Sequence, residues 1–240
     1  MNASPRYLEA WEGFWRDASP GTGEVFWDVE PELAAAAHLP LFAPHFDAGL
    51  PLVDLGCGNG TQTRFLAVSY ERVIGADLSP TAVERARTAD PDGRADYRRL
   101  NASDWAAEQA LHAELGDSDV YMRGVLHQCE PDDRPAIAEG IATLLGVRGR
   151  AFVVEPAEAA KSVLLGLAQG PAGPPPKLAA VFAHGIAPAE AADSMVPALL
   201  RAAGLEVLAS GELPLTTSEY GPDGVRIVLP SKWLVAGRPG

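Results

Sequence analysis

The stretch Val53-Asp54-Leu55-Gly56-Cys57-Gly58-Asn59-Gly60 constrains this chain more than any other. Its apolar lead, Leu50 to Val53, suits a central parallel strand covered on both faces. Three glycines at alternate positions let the backbone take positive φ and approach a ligand with no Cβ in the way. Thr61 to Tyr70 reads as a helix, so the turn delivers a helix N-terminus to whatever sits above it. Asp54 adds a carboxylate at that point. A dinucleotide site of the Gly-x-Gly-x-x-Gly type needs glycine at 61, where the chain has Thr61, so the spacing speaks against it. A ligand-free turn between strand and helix has use for one glycine, and three behind a carboxylate suit it poorly.

An acidic residue followed by Gly-x-Gly-x-Gly resembles the first motif of class I S-adenosylmethionine-dependent methyltransferases. Asp54, Gly56, Gly58 and Gly60 all match it. The resemblance implies an α/β fold, a doubly wound, seven-stranded, mostly parallel sheet of the Rossmann-like methyltransferase type. Its strand order would be third, second, first, fourth, fifth, seventh, sixth. It further implies an N-terminal helical cap over 1–48 and a cofactor-binding domain over 49–240, with a lid inserted at about 156–192. The cofactor would be S-adenosyl-L-methionine, leaving as S-adenosyl-L-homocysteine. The acceptor would be a small organic molecule, with oxygen the leading target atom, then nitrogen, then carbon.

The order of elements extends the resemblance. Residues 5–17 form a helical pattern with Tyr7, Leu8, Trp11, Phe14 and Trp15 on one face. This segment either pins itself to the core by its aromatics or closes as a lid, with Trp15 against the cofactor. Pro31 to about His38 reads as a second helix, resumed from Leu41 to Phe46. Arg72 to Ala76 reads as the second strand, ending in Asp77. There the resemblance places the carboxylate that accepts from both ribose hydroxyls, with Leu78 packed on adenine. Ser79-Pro80 reads as an N-cap and first helical residue. After a third strand, Ala95 to Leu100, comes Asn101-Ala102-Ser103-Asp104-Trp105. The resemblance assigns Ser103, Asp104 and Trp105 to adenine, with Asp104 accepting from its amine. Asp104 is equally a good N-cap for the helix that follows.

Asp117 to Met122 reads as the fourth strand, and Arg123-Gly124-Val125-Leu126-His127-Gln128-Cys129 leaves its end. Ligands of doubly wound sheets sit beyond the carboxyl ends of strands, so this loop faces the reacting group. His127 is the candidate general base, since imidazole titrates near neutral pH; the other reading is a loop-ordering residue. Methyl transfer from a sulfonium needs mainly alignment, so either role is compatible with the chemistry. The Arg123 backbone and Asp54 would help hold the methionine ammonium, and Cys57 lies within the turn that admits that portion. No aspartate in this loop resembles a magnesium ligand, so no metal is expected. The segment from 156 to 192, with Pro171, Pro174, Pro175 and Pro176 among Gly170 and Gly173, reads as a loop between two short helices. It either builds the acceptor pocket or is a surface excursion; His184 is a second, weaker base candidate. Leu205 to Ser210 and Arg226 to Val235 read as closing strands joined by a 211–225 loop.

Composition bounds the partners. The 240 residues carry a formal net charge of -13, which repels phosphate backbones and anionic membranes. We therefore expect no nucleic acid, no membrane, and a monomer or homodimer. Cys57 and Cys129 make no disulfide framework and no zinc spacing. With no signal peptide or long apolar run in this sequence, the expected location is the cytoplasm. Two other functions share the same motifs: an enzyme that binds the cofactor but catalyses a non-methylating reaction, and a non-catalytic binding module.

Overall fold

The computed structural model describes residues 5–169, 173–186, 191–221 and 223–239. Seven strands form one sheet in the order β3-β2-β1-β4-β5-β7-β6. They are β1 Leu52–Leu55, β2 Val73–Asp77, β3 Asp96–Arg99, β4 Asp119–Arg123, β5 Arg150–Pro156, β6 Glu206–Tyr220 and β7 Arg226–Gly237. β1 to β5 pair in parallel and β7 runs antiparallel between β5 and β6. This is the fold class and strand order that the motifs imply.

Alternation along the central strands sorts side chains onto two faces. Val53, Leu55, Val120 and Met122 meet α5 (Trp105–Leu115), α6 (Arg134–Leu145) and α9 (Met195–Ala202). Leu52, Tyr121 and Phe152 meet α2 (Ala35–Phe42) and α3 (Thr61–Leu66) on the other face. β1 is buried at every position, as a strand flanked by helices on both faces requires. At the carboxyl edge a third apolar cluster forms above the sheet. It joins Phe14 and Trp15 of α1 (Pro5–Asp17), Val25 and Phe26, Leu178 and Val181 of α8 (Pro176–Ala183), and Leu215 and Leu229 of the β6–β7 hairpin.

Three features differ from the sequence expectation. The closing strands run far longer than Leu205–Ser210 and Arg226–Val235, so most of the 211–225 segment is strand rather than loop. Pro214 hid this; at the sheet edge it faces Pro230 on the neighbouring strand, where an edge position tolerates the missing N–H. The second helix is one unit, α2, after a 3-10 turn at Pro31–Leu33, and it contains Pro40 without breaking. Its Phe42 packs against Tyr121 and Phe152, so α2 covers the sheet face, and α1 with its following loop lies over the carboxyl edge. The insertion holds α7 (Ala160–Gln169) and α8, while Gly170 and Pro171 of the expected proline-glycine loop and residues 187–190 of the lid range lie outside the described residues.

Candidate functional site

A cavity opens over the carboxyl ends of β1, β2 and β4, roofed by α1, α7 and α8. Its wall includes Trp15, Asp54, Gly56, Cys57, Gly58, Asp77, Leu78, Ser103, Arg123 and His127, brought together from stretches far apart in sequence. Gly60, Asp104 and Trp105 are not part of that wall.

The glycine turn is pinned to β2, because the amides of Gly56 and Cys57 both donate to the Ala76 carbonyl. All three glycines have positive φ, between 54 and 79°. Each also makes room for a protein side chain. A Cβ at Gly56 would collide with Val125, one at Gly58 with the Trp15 indole, and one at Gly60 with Tyr97 and Ala86. Gly60 therefore serves packing behind the turn, while Gly56 and Gly58 face the cavity.

Two carboxylates lie beneath the turn. Asp54 accepts from Thr63 Oγ1 at 2.6 Å. Burial pushes its pKa up to about 6, against the Thr63 hydrogen bond and the nearby Arg123 charge. Asp77 accepts from the amides of Gly58 and Ser79, each at 2.9 Å, and burial raises its pKa despite those bonds. The side chain of Ser79 then caps α4 (Pro80–Thr88) by accepting from Ala82 N.

The cap is fastened at several points. Glu12 accepts from the hydroxyls of Ser79 and Thr81 at the start of α4. Arg85 donates to the carbonyls of Arg16, Ala18 and Ser19 where α1 ends. Asp28 receives Asn59 Nδ2 at 2.7 Å, tying the loop after α1 to the glycine turn. Arg123 donates through its guanidinium to the Trp27 carbonyl at 2.7 Å. Trp15 is only 2% exposed. The indole is thus buried core and part of the cavity wall together.

The adenine assignments fare differently. Asp104 Oδ1 accepts from Ala106 N and Ala107 N, so it caps α5. Trp105, the first residue of α5, is 62% exposed and turned away from the cavity wall. Of the three residues expected there, only Ser103 lines the cavity, beside Leu100, Asn101 and Ala102. His184 is also outside the wall and lies 3.4 Å from Asp17 through Nε2. His127 is in the wall, with Nδ1 2.7 Å from Glu155 Oε2.

Sequence reading missed Glu155 as a site residue, as well as Gln128 and Asp133, whose Oε1 and Oδ2 are buried in the cavity wall without a hydrogen-bond partner among the described residues. Gln128 lies in the β4 loop already placed at the site, but nothing local marks Glu155 or Asp133, whose relevance arises from how β5 and α6 pack beside that loop. Cys57 and Cys129 are both buried and free, and Cys129 Sγ bonds the Val125 carbonyl at 3.2 Å. Among the described residues no cluster of three His, Cys, Asp or Glu could hold a metal ion, and no helix is long and apolar enough to cross a membrane.

Residues 52–149 match the family model described as a methyltransferase domain. A crystal structure of an S-adenosylmethionine-dependent methyltransferase from Anabaena variabilis superposes with a TM-score of 0.91 at 29% identity, covering 100% of this chain and 98% of that one. The chain has the class I S-adenosylmethionine-dependent methyltransferase fold. An uncharacterized methyltransferase of Schizosaccharomyces pombe is 34% identical over 110 residues, which is 43% of this chain and 38% of that protein. The ubiquinone biosynthesis O-methyltransferase of Aromatoleum aromaticum is 26% identical over 160 residues, 63% of this chain and 62% of that protein. The chain thus spans less than two thirds of the length of either relative.

The cavity of this methyltransferase fold fits the family's cofactor on its own features. The two unpartnered acceptors, Gln128 Oε1 and Asp133 Oδ2, call for a ligand that brings N–H or O–H donors. Asp77 has two of its carboxylate lone pairs taken by amides and keeps acceptor capacity toward the cavity.

Proposed function

We propose that this chain transfers the methyl group of S-adenosylmethionine to an oxygen atom of a small, partly apolar organic acceptor. One observation carries the reading: the cavity that holds the glycine turn and Asp77 also holds His127, under a roof of Trp11, Trp27, Leu164, Leu178 and Phe182. A polar cofactor floor and an apolar acceptor wall thus meet across one histidine. The likeness to the Aromatoleum O-methyltransferase supports oxygen as the target.

When bound, the cofactor supplies an electrophilic methyl group and leaves as a neutral thioether. The chain's own residues do the rest. Asp77 anchors the ribose hydroxyls, and Gly56 and Gly58 admit the methionine portion. Asp54 and the Arg123 backbone hold its ammonium, while Leu78, Ser103 and the two unpartnered acceptors border adenine. The apolar roof excludes water, and His127 takes the acceptor's hydroxyl proton as the oxygen becomes nucleophilic.

The test is a mass-resolved screen of hydroxylated aromatic and alicyclic acceptors with the cofactor. The expected product has one hydrogen replaced by methyl, and His127→Ala lowers turnover while leaving S-adenosylhomocysteine affinity nearly intact. Cofactor consumption without methyl gain in any acceptor would move the chain to the non-methylating class.

A further inference from the structure

Glu155 is the sixth residue of β5, and it is buried at the carboxyl edge of the sheet. Three backbone N–H groups and one ring nitrogen converge on its carboxylate. Oε1 accepts from Val125 N at 2.8 Å and Leu126 N at 2.9 Å. Oε2 accepts from His127 N at 3.2 Å and lies 2.7 Å from His127 Nδ1. Three successive amides of the loop after β4 and the ring of its histidine thus share one buried anion.

We propose that Glu155 is the positioning residue of this site, fixing His127 as the Nδ1–H tautomer so that Nε2 carries the lone pair available to the acceptor. The proposal rests on the reading of His127 as the base.

The chemistry of the pair favours this arrangement. A carboxylate accepts at about four lone-pair positions; three amides fill three, and the position facing Nδ1 is an acceptor too. The proton between the two side chains therefore sits on Nδ1, an assignment made from the hydrogen-bond network. Nε2 is left as the acceptor nitrogen. When Nε2 takes the acceptor's proton, the ring becomes a cation in contact with a buried anion, and a charge-assisted hydrogen bond strengthens in such surroundings. The proton afterwards passes to water, and the ring returns to its neutral state with Nδ1–H unchanged.

Glu155 also sets the wall opposite the turn. The loop that it gathers begins at Gly124, with φ +69°, and carries Val125 onto Gly56. Glutamine cannot substitute silently. Its amide keeps one acceptor oxygen, and its NH2 group would point donors at donors on the other side.

Nitrogen NMR of isotope-labelled protein reads the tautomer directly, with no cofactor or acceptor present. In the wild type the expected signal is a protonated Nδ1 and a bare Nε2. In Glu155→Gln the ring shifts toward Nε2–H. Turnover falls at least about tenfold, a fraction of the roughly 10²- to 10⁴-fold that a general base contributes, while the acceptor KM stays within about threefold. In the His127→Ala background the same substitution adds little further loss, since the two residues act as one unit. If Glu155→Gln does not fold, Glu155→Leu takes its place with the same expected split, and Glu155→Asp, which keeps a carboxylate, should retain more turnover than either.

A wild-type ring carrying its proton on Nε2, with His127→Ala impaired, would overturn the positioning proposal alone. So would a double variant far slower than His127→Ala, because Glu155 would then act through the loop's shape. Full turnover by His127→Ala would overturn the base reading, and the proposal with it.

Discussion

Asp77 accepts the amide hydrogens of Gly58 and Ser79 while facing the cavity, so one carboxylate staples the glycine turn to the start of α4 and meets the ligand. Asp77→Ala is expected to weaken S-adenosylhomocysteine binding by roughly 1.5–3 kcal/mol, the scale of hydrogen bonds to a charged group. Titration calorimetry checks this, and unchanged affinity would remove the ribose role. At this scale the sequence was legible where residue type and spacing admit few uses: Asp54, Gly56, Gly58 and Asp77 share one wall. It was ambiguous where one residue type serves two ends. An aspartate five residues past a strand can face a ligand or cap a helix, and Asp104 caps. Gly60 looks like its two neighbours in the motif, yet the Tyr97 ring explains it. Glu155 was illegible because its four nitrogen partners come from a loop 28 to 30 residues earlier, joined to it only by the β4–β5 pairing.

Helix α5 carries Asp104 as its N-cap. Removing its cap with Asp104→Ala should cost about 1 kcal/mol of folding stability, with cofactor affinity nearly unchanged. Chemical denaturation beside calorimetry separates the two; a large loss of affinity at full stability would return Asp104 to the binding site. One turn further along, Glu108 is fully buried against α6, and neither carboxyl oxygen has a hydrogen-bond partner among the described residues. A Cβ at Gly140 would collide with that carboxyl, so the glycine is what lets α5 and α6 pack around it. Burial raises the Glu108 pKa from 4.5 to about 9, with Asp104 adding a smaller push. The folded state then keeps a proton that the unfolded state releases. Stability from this group is complete below about pH 4.5 and declines as pH rises toward 9, by roughly 3 kcal/mol at pH 7. Glu108→Gln should abolish that slope and be the more stable protein at pH 8, converging on wild type in acid. Urea unfolding across pH tests it, and parallel curves would show that Glu108 is ionised in the fold. The β6–β7 hairpin teaches the converse: Gly211 and Pro214 look like loop residues, but Gly211 makes room for Trp233 and Pro214 sits at an edge.

For the whole molecule, strand order and the carboxyl-edge location of the cavity follow from the motif order, because successive β-α units leave little choice of topology. The roof does not follow from it. Trp15 meets Gly58 where Glu12 and Arg85 tie the C-terminal half of α1 and the residues after it to α4, and Lys177 of α8 donates to the Gly23 and Ser218 carbonyls. The cap, the insertion and the final hairpin are three distant segments that share one apolar cluster, which no local pattern reveals. The central claim is that this roofed cavity binds S-adenosylmethionine. The measurement that tests it most directly is calorimetric titration of the protein with S-adenosylmethionine, S-adenosylhomocysteine and NADH side by side. One-to-one micromolar binding of both sulfur compounds and none of NADH is expected; binding of NADH alone, or of none of the three with acceptor candidates present, would rule the cofactor out.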